Sequence, residues 1–154
     1  MTRRWLARGL GLLLAAPWAQ AQWLVSPEDM RASALAPEPL HIKSTPRPDA
    51  PAIELLRPAR PPSPGQALVL NNPMAIELRF QAAPGSQILP ETFRVLYGRL
   101  RLDITARLLS ATRVSAEGLS VREAQLPAGQ HRIVLGIEDN QGRAGQTQLE
   151  FEIR

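Results

Sequence analysis

The chain has 154 residues, with 18 Lys or Arg against 14 Asp or Glu, which gives a formal net charge of +4. Three of the basic residues fall within the first eight positions, so the rest of the chain carries 15 basic against 14 acidic residues and is nearly neutral. Such a chain is a poor nucleic-acid binder, because that affinity depends on clustered positive charge that neutralises phosphates. The lack of cysteine excludes disulfides and cysteine-based catalysis.

Residues 1–21 have the pattern of a secretory signal peptide. Three arginines precede or flank a short apolar run over 9–16, and small residues at 19 and 21 predict cleavage between Ala21 and Gln22. The run is shorter than the roughly 20 residues that a membrane span requires. Positions 2–7 also resemble a twin-arginine signal, but the general secretory route is favoured. We therefore expect a periplasmic or secreted protein with no membrane span in the mature chain.

Residues 22–50 are predicted to form a short helix and a proline-rich linker. Ser26 suits the N-cap, Pro27 suits the first helical position, and Asp29 falls at the third, as in a capping box. Nine prolines then occur between positions 37 and 64, and each fixes φ and lacks a backbone donor. Most of this stretch is expected to be an extended linker, and a recognition segment is the alternative.

Residues 51–154 are predicted to form a single all-β domain. Apolar and polar side chains alternate in short segments, as in strands with one buried face, and clusters of turn-forming residues separate them. The alternating segments are 52–58, 75–81, 93–97, 100–104, 118–126, 131–137 and 149–154. Residues 104–110 would also fit one helical turn. About seven short strands predict an antiparallel β-sandwich, in which two sheets cover each other's apolar faces.

The same region carries short motifs in a characteristic order. The stretches PAIELLRP, NNPMAIELRFQAAPGSQILPETFRVLYG, AQLPAGQHRIVLGIEDNQGR and LEFEIR resemble bacterial immunoglobulin-like domains of exported proteins. The resemblance covers residues 51–154 and implies an immunoglobulin-like sandwich, although members often carry Asn where this chain has Arg143. The resemblance indicates almost nothing about function, because such domains serve as spacers, adhesins, enzyme accessories and assembly factors.

The sequence contains no set of residues suited to catalysis or metal binding. Its only histidines are His41, in the linker, and His131, at a strand start where a turn or sheet-edge role is expected. No G-x-S-x-G elbow or glycine-rich phosphate loop occurs. Copper-carrying periplasmic sandwiches tend to place histidine near the mature N-terminus, whereas Gln22 and Trp23 stand there in this chain. We therefore predict no enzyme activity, no cofactor and no metal site.

The stretch IEDNQGRAG, residues 137–145, has the composition of either a calcium loop or a turn between strands. Asp139 and Gly142 favour a turn, because aspartate bonds nearby backbone amides and glycine accepts positive φ. The spacing of oxygen ligands in helix-loop-helix calcium sites is missing. A turn between the last two strands is favoured, and weak calcium binding between sandwich loops is the alternative.

Two features are predicted as possible partner contacts. The apolar trio Trp23, Leu24 and Val25 either folds back onto the sandwich or inserts into a partner. Arg99 and Arg101 are predicted on one face of a strand, which is either solvated or meets an acidic or sugar surface. These features favour a non-enzymatic exported domain that acts as a protein-binding or structural module, with a cell-envelope protein as its partner. A carbohydrate- or surface-binding, adhesin-like domain is the alternative.

Overall fold

The structure, a computed structural model, describes residues 23–38, 47–59 and 67–154. The predicted signal peptide, with its cleavage site between Ala21 and Gln22, lies outside these residues, as do His41 and two pieces of the proline-rich stretch. Within the described ranges, no helix is long and apolar enough to cross a membrane.

Alternating apolar residues build eight strands in two sheets, which two short helices accompany. The elements in chain order are α1 (Pro27–Leu35), β1 (Ala52–Arg57), β2 (Leu68–Leu70), β3 (Met74–Gln81), β4 (Ile88–Tyr97), β5 (Leu102–Asp103), α2 (Thr105–Ala111), β6 (Gly118–Ala124), β7 (Gly129–Asp139) and β8 (Ala144–Ile153). One sheet has the order β1-β3-β6, and the other has the order β2-β8-β7-β4-β5. The all-β sandwich class is therefore confirmed, whereas the immunoglobulin-like assignment remains a prediction.

Period-two alternation gives each sheet an apolar face, and the two apolar faces pack against each other. Phe80 of β3 and Phe93 of β4 meet across the sandwich, with ring centroids 5.5 Å apart, which is a favourable spacing for aromatic pairs. The solvent side of the three-stranded sheet carries cross-strand ion pairs, such as the 3.3 Å contact between Arg57 and Glu77. The buried apolar residues and the exposed ion pairs therefore identify the same face of this sheet as the core face.

The predicted strand pattern is wrong over residues 100–104 and misses β2. The strand expected over 100–104 is reduced to the two residues of β5, and residues 98–101 form a turn before it. The ambiguous segment that follows is α2, which buries Thr105 and Leu108. β2 is not predicted, because three residues are too few for alternation to be detected. It pairs with β8 in parallel, so the sandwich is not wholly antiparallel.

The segment that begins at Trp23 closes one end of the sandwich. Leu24 and Val25 belong to the hydrophobic core, and they are 4% and 0% exposed. The Leu24 backbone N–H donates to the Gln125 carbonyl across 3.1 Å, which ties this segment to the connection between β6 and β7. The predicted short helix, α1, is thus packed against the sandwich.

Candidate functional site

The N-terminus of α1 is defined by a complete capping box, as the sequence predicts. Ser26 Oγ accepts from the Asp29 backbone N–H at 3.1 Å, and Asp29 Oδ2 accepts from the Ser26 backbone N–H at 2.9 Å. Asp29 also forms an ion pair with Arg107 of α2. The hydrogen bond from Arg107 is the main cause that lowers the pKa of Asp29. This carboxylate therefore both starts α1 and joins it to α2.

Two glycines let α1 approach the sheet closely. A Cβ on Gly98 would lie 2.0 Å from Ser33 Oγ, and a Cβ on Gly129 would lie 2.8 Å from Met30 Cε. Gly98 also has a φ of +67°, which favours glycine over residues with a side chain. Ser33 Oγ accepts from the Arg99 backbone N–H at 2.9 Å. The helix is therefore docked at the end of β4 and at the start of β7.

A buried polar pair lies beneath α1. The Tyr97 hydroxyl is 2.9 Å from His131 Nδ1, and His131 Nε2 is 2.8 Å from the Pro127 carbonyl oxygen. Because that carbonyl can only accept, Nε2 carries the proton and Nδ1 accepts from the Tyr97 hydroxyl. Burial raises the pKa of Tyr97 to about 12 and lowers the pKa of His131. The pair is thus neutral and internally satisfied.

The position of His131 differs from the predicted turn or sheet-edge role. It lies in β7, which β8 and β4 flank on either side, and it is 3% exposed. Its ring stacks on Phe151 of β8, with centroids 5.5 Å apart. The sequence does indicate that His131 is buried, because it has the same alternation phase as Ile133 and Leu135.

A cleft of about 680 Å³ lies beside α1, where β7 begins and β8 ends. Tyr97, His131 and Phe151 contribute to its floor, but each is at least nine-tenths buried. The rim is polar, and Arg132 on it is already paired with Glu150 at 2.9 Å. The cleft is large enough for a small ligand, yet it offers little exposed ring area on which a sugar ring could stack.

The predicted contact residues Arg99 and Arg101 lie in the turn over 98–101, so their placement on one face of a strand is wrong. The alternation of Leu100 with Leu102 imitates a strand, but Arg101 has a φ of 51° and reverses the chain. Arg99 Nη1 donates to the Ala36 carbonyl at 3.3 Å. Among the described residues, neither arginine has a carboxylate oxygen within 4.0 Å.

The predicted apolar trio is divided between core and surface. Leu24 and Val25 fold back onto the sandwich and are buried, so they are not accessible to a partner in this structure. Trp23 forms an isolated bridge with Gln125 and remains 50% exposed. Of the three residues, Trp23 alone presents a side chain at the surface.

We call residues 23–26, α1, the turn over 98–101 and α2 together the helical end. Its parts are in contact through the Ser33–Arg99 hydrogen bond and the Asp29–Arg107 ion pair. Of the five large apolar side chains exposed in the described part of the chain, four lie here: Trp23, Leu35, Leu100 and Leu109. The fifth, Val69, is on β2, at the opposite edge of its sheet from β5. A concentration of exposed apolar residues is typical of an interaction surface.

The stretch over 137–145 contains the turn between β7 and β8, as predicted, and the turn itself occupies residues 140–143. Asp139 Oδ1 accepts from the backbone N–H groups of Gln141 and Arg143, each at 3.0 Å. Asp139 Oδ2 accepts from Arg143 Nε at 2.8 Å. Gly142 has a φ of 73°. Across the described ranges, no three His, Asp or Glu side chains are grouped as metal ligands would be.

The sequence matches no protein family and no curated protein. Among solved structures, the chain is similar to the CopC from Methylosinus trichosporium OB3b. The two are 12% identical with a TM-score of 0.37, and the alignment covers 56% of this chain and 82% of that chain. A likeness this distant carries no conclusion about function.

Proposed function

We propose that this protein is an exported, non-enzymatic module of the immunoglobulin-like kind, which binds a protein partner in the cell envelope through its helical end. The proposal of export rests on the signal-peptide pattern of residues 1–21. The proposal of a non-enzymatic role rests in part on His131, whose two ring nitrogens are both engaged inside the fold. A general base needs a nitrogen that can reach a substrate.

The observation that carries the proposal is the uneven distribution of exposed apolar side chains. On the sheets, outward positions carry paired charges, such as Arg79 with Glu54 and Arg132 with Glu150. At the helical end, Leu35 is 87% exposed and Leu100 is 49% exposed. Apolar residues that remain in water on a docked, well-packed element favour contact with another protein.

Binding of an envelope extract to the immobilised mature chain tests this function. We expect one protein to be retained in stoichiometric amount, and we expect the triple variant Leu35→Ser, Leu100→Ser, Leu109→Ser to lose it. These side chains are exposed, so the triple variant should keep the melting temperature of the parent chain within a few degrees.

Val69→Ser is the matched control, because it also removes an exposed apolar side chain but lies at the opposite sheet edge. It should retain the partner as the parent chain does. Retention of the partner by the triple variant, or equal loss in both variants, would contradict a role for the helical end.

The carbohydrate-binding alternative has weaker support. Sugar sites usually present an aromatic ring to the ligand, and the three rings in the cleft are buried. Among the described residues, Trp23 is the aromatic side chain that remains exposed. A glycan array can be probed with the parent chain and with Trp23→Ala. Binding of a glycan by the parent chain but not by Trp23→Ala would favour this alternative.

A further inference from the structure

Residues 99–101 form the tip of the turn between β4 and β5, and we call them the arginine turn. The backbone beside it is held from two sides. The Gly98 N–H donates to the Arg132 carbonyl at 2.8 Å, and the Arg99 N–H donates to Ser33 Oγ at 2.9 Å. The side chains therefore project from a preorganised frame, which reduces the entropy lost when they bind.

Arg101 occupies a backbone position that disfavours it. Its φ of 51° lies in the left-handed region, where glycine is free and a residue with a Cβ is strained. Its side chain makes no ion pair within the described ranges, and the sequence outside them contains no Asp or Glu. The fold therefore gains no ion pair from this guanidinium, although the turn would accept glycine more easily.

The other eleven arginines in the described ranges do not all have a carboxylate partner, since none lies within 4.0 Å of Arg31, Arg47, Arg94, Arg113 or Arg122. The remaining six do have a carboxylate oxygen within 4.0 Å: Arg57, Arg79, Arg107, Arg132, Arg143 and Arg154. Arg99 and Arg101 stand on either side of the exposed Leu100 without such a partner in the described structure. The arginine turn thus presents two uncompensated positive charges around one apolar side chain.

We propose that the arginine turn binds a segment of the protein partner that carries carboxylate side chains beside an apolar residue. This inference rests on the proposed function and adds the chemistry of the partner. A guanidinium matches a carboxylate as a two-pronged donor, and such charge-assisted bonds are stronger than neutral ones. Leu100 would be covered by the apolar residue of the same segment, so that the charges at its sides determine which segment fits.

The test is the affinity of the retained partner for the mature chain, for Arg101→Gly and for Arg101→Glu. Arg101→Gly removes the guanidinium and relieves the positive φ, so its melting temperature should equal or exceed that of the parent chain. We expect it to weaken binding about tenfold, as the loss of one charge-assisted contact does. Arg101→Glu should weaken binding further. Raising the salt from about 50 to 300 mM should weaken the complex of the parent chain more than the complexes of the two variants.

Arg122→Gln is the matched control, because Arg122 on β6 is exposed and also lacks a carboxylate within 4.0 Å among the described residues. It should bind within about twofold of the parent chain.

Equal affinity of the parent chain and both Arg101 variants would overturn this inference while leaving a protein-binding function intact. Failure of the parent chain to retain any protein would instead refute the proposed function itself. Arg101-dependent binding to phosphatidylglycerol vesicles, with no protein retained, would assign the arginines to lipid phosphates and overturn the inference as well.

Discussion

A methyl group at Gly98 provides a direct test of how α1 is docked. A Cβ there would lie 2.0 Å from Ser33 Oγ and 2.6 Å from Ser33 Cβ, and φ at this position is +67°. The left-handed backbone alone costs an alanine about 1–2 kcal/mol. Displacing Ser33 adds about 1–3 kcal/mol, as overpacking of a filled site does. Gly98→Ala should therefore lower the unfolding free energy by about 2–5 kcal/mol, and the melting temperature by on the order of 10 °C.

Gly85→Ala separates the two contributions. Gly85 has a φ of +77° and no atom within 4 Å of its would-be Cβ, so this variant carries the backbone strain without the clash. Urea unfolding followed by circular dichroism gives both free energies. Adding Ser33→Gly to Gly98→Ala should recover part of the loss, because it removes the atoms that clash. If Gly98→Ala lowers the unfolding free energy no more than Gly85→Ala does, Ser33 of α1 does not pack against Gly98 and the position of α1 on the sheet is wrong.

Two further predictions concern the buried polar groups. Burial lowers the pKa of folded His131 from its usual 6.5, so the unfolded chain binds that proton first. The contribution of neutral His131 to the unfolding free energy should therefore be fully present above about pH 6.5. It should decrease as the pH drops from there towards the lowered pKa of the folded state. Unfolding measured between pH 8 and pH 5 should show this slope reduced in His131→Gln, and a parent chain that gains stability on acidification would contradict it. Added calcium should leave the melting temperature unchanged, because Gln141 and Arg143 already occupy both oxygens of Asp139. A rise of several degrees would show that the loop binds the ion.

Much of the sandwich is predictable because its strands are half-buried. Alternation marks β3, β4, β7 and β8, and the structure buries the apolar phase of each, as Leu78 and Ile137 illustrate. The start of α1 is also predictable, because the capping box of Ser26 and Asp29 is a local signal. Local patterns thus identify elements whose stabilising contacts are close in sequence or repeat along one face.

The helical end is not predictable in this way, because its contacts are distant in sequence. Ser33 meets the backbone of Arg99, 66 residues away, and Asp29 meets Arg107, 78 residues away. The turn at Arg101 interrupts an alternation that otherwise extends from Leu100 to Ile104, and nothing local to arginine predicts positive φ. The candidate site therefore emerges only when the fold brings these segments together.

We propose that the helical end contacts a protein partner in the envelope. A photo-crosslinking amino acid placed at Leu100, and separately at Val69, tests it in intact cells that make the full chain. Both positions are exposed and apolar, and they belong to opposite edges of the five-stranded sheet. We predict one dominant protein adduct from position 100 and none from position 69. An adduct from both positions alike, or from position 69 alone, would contradict the claim.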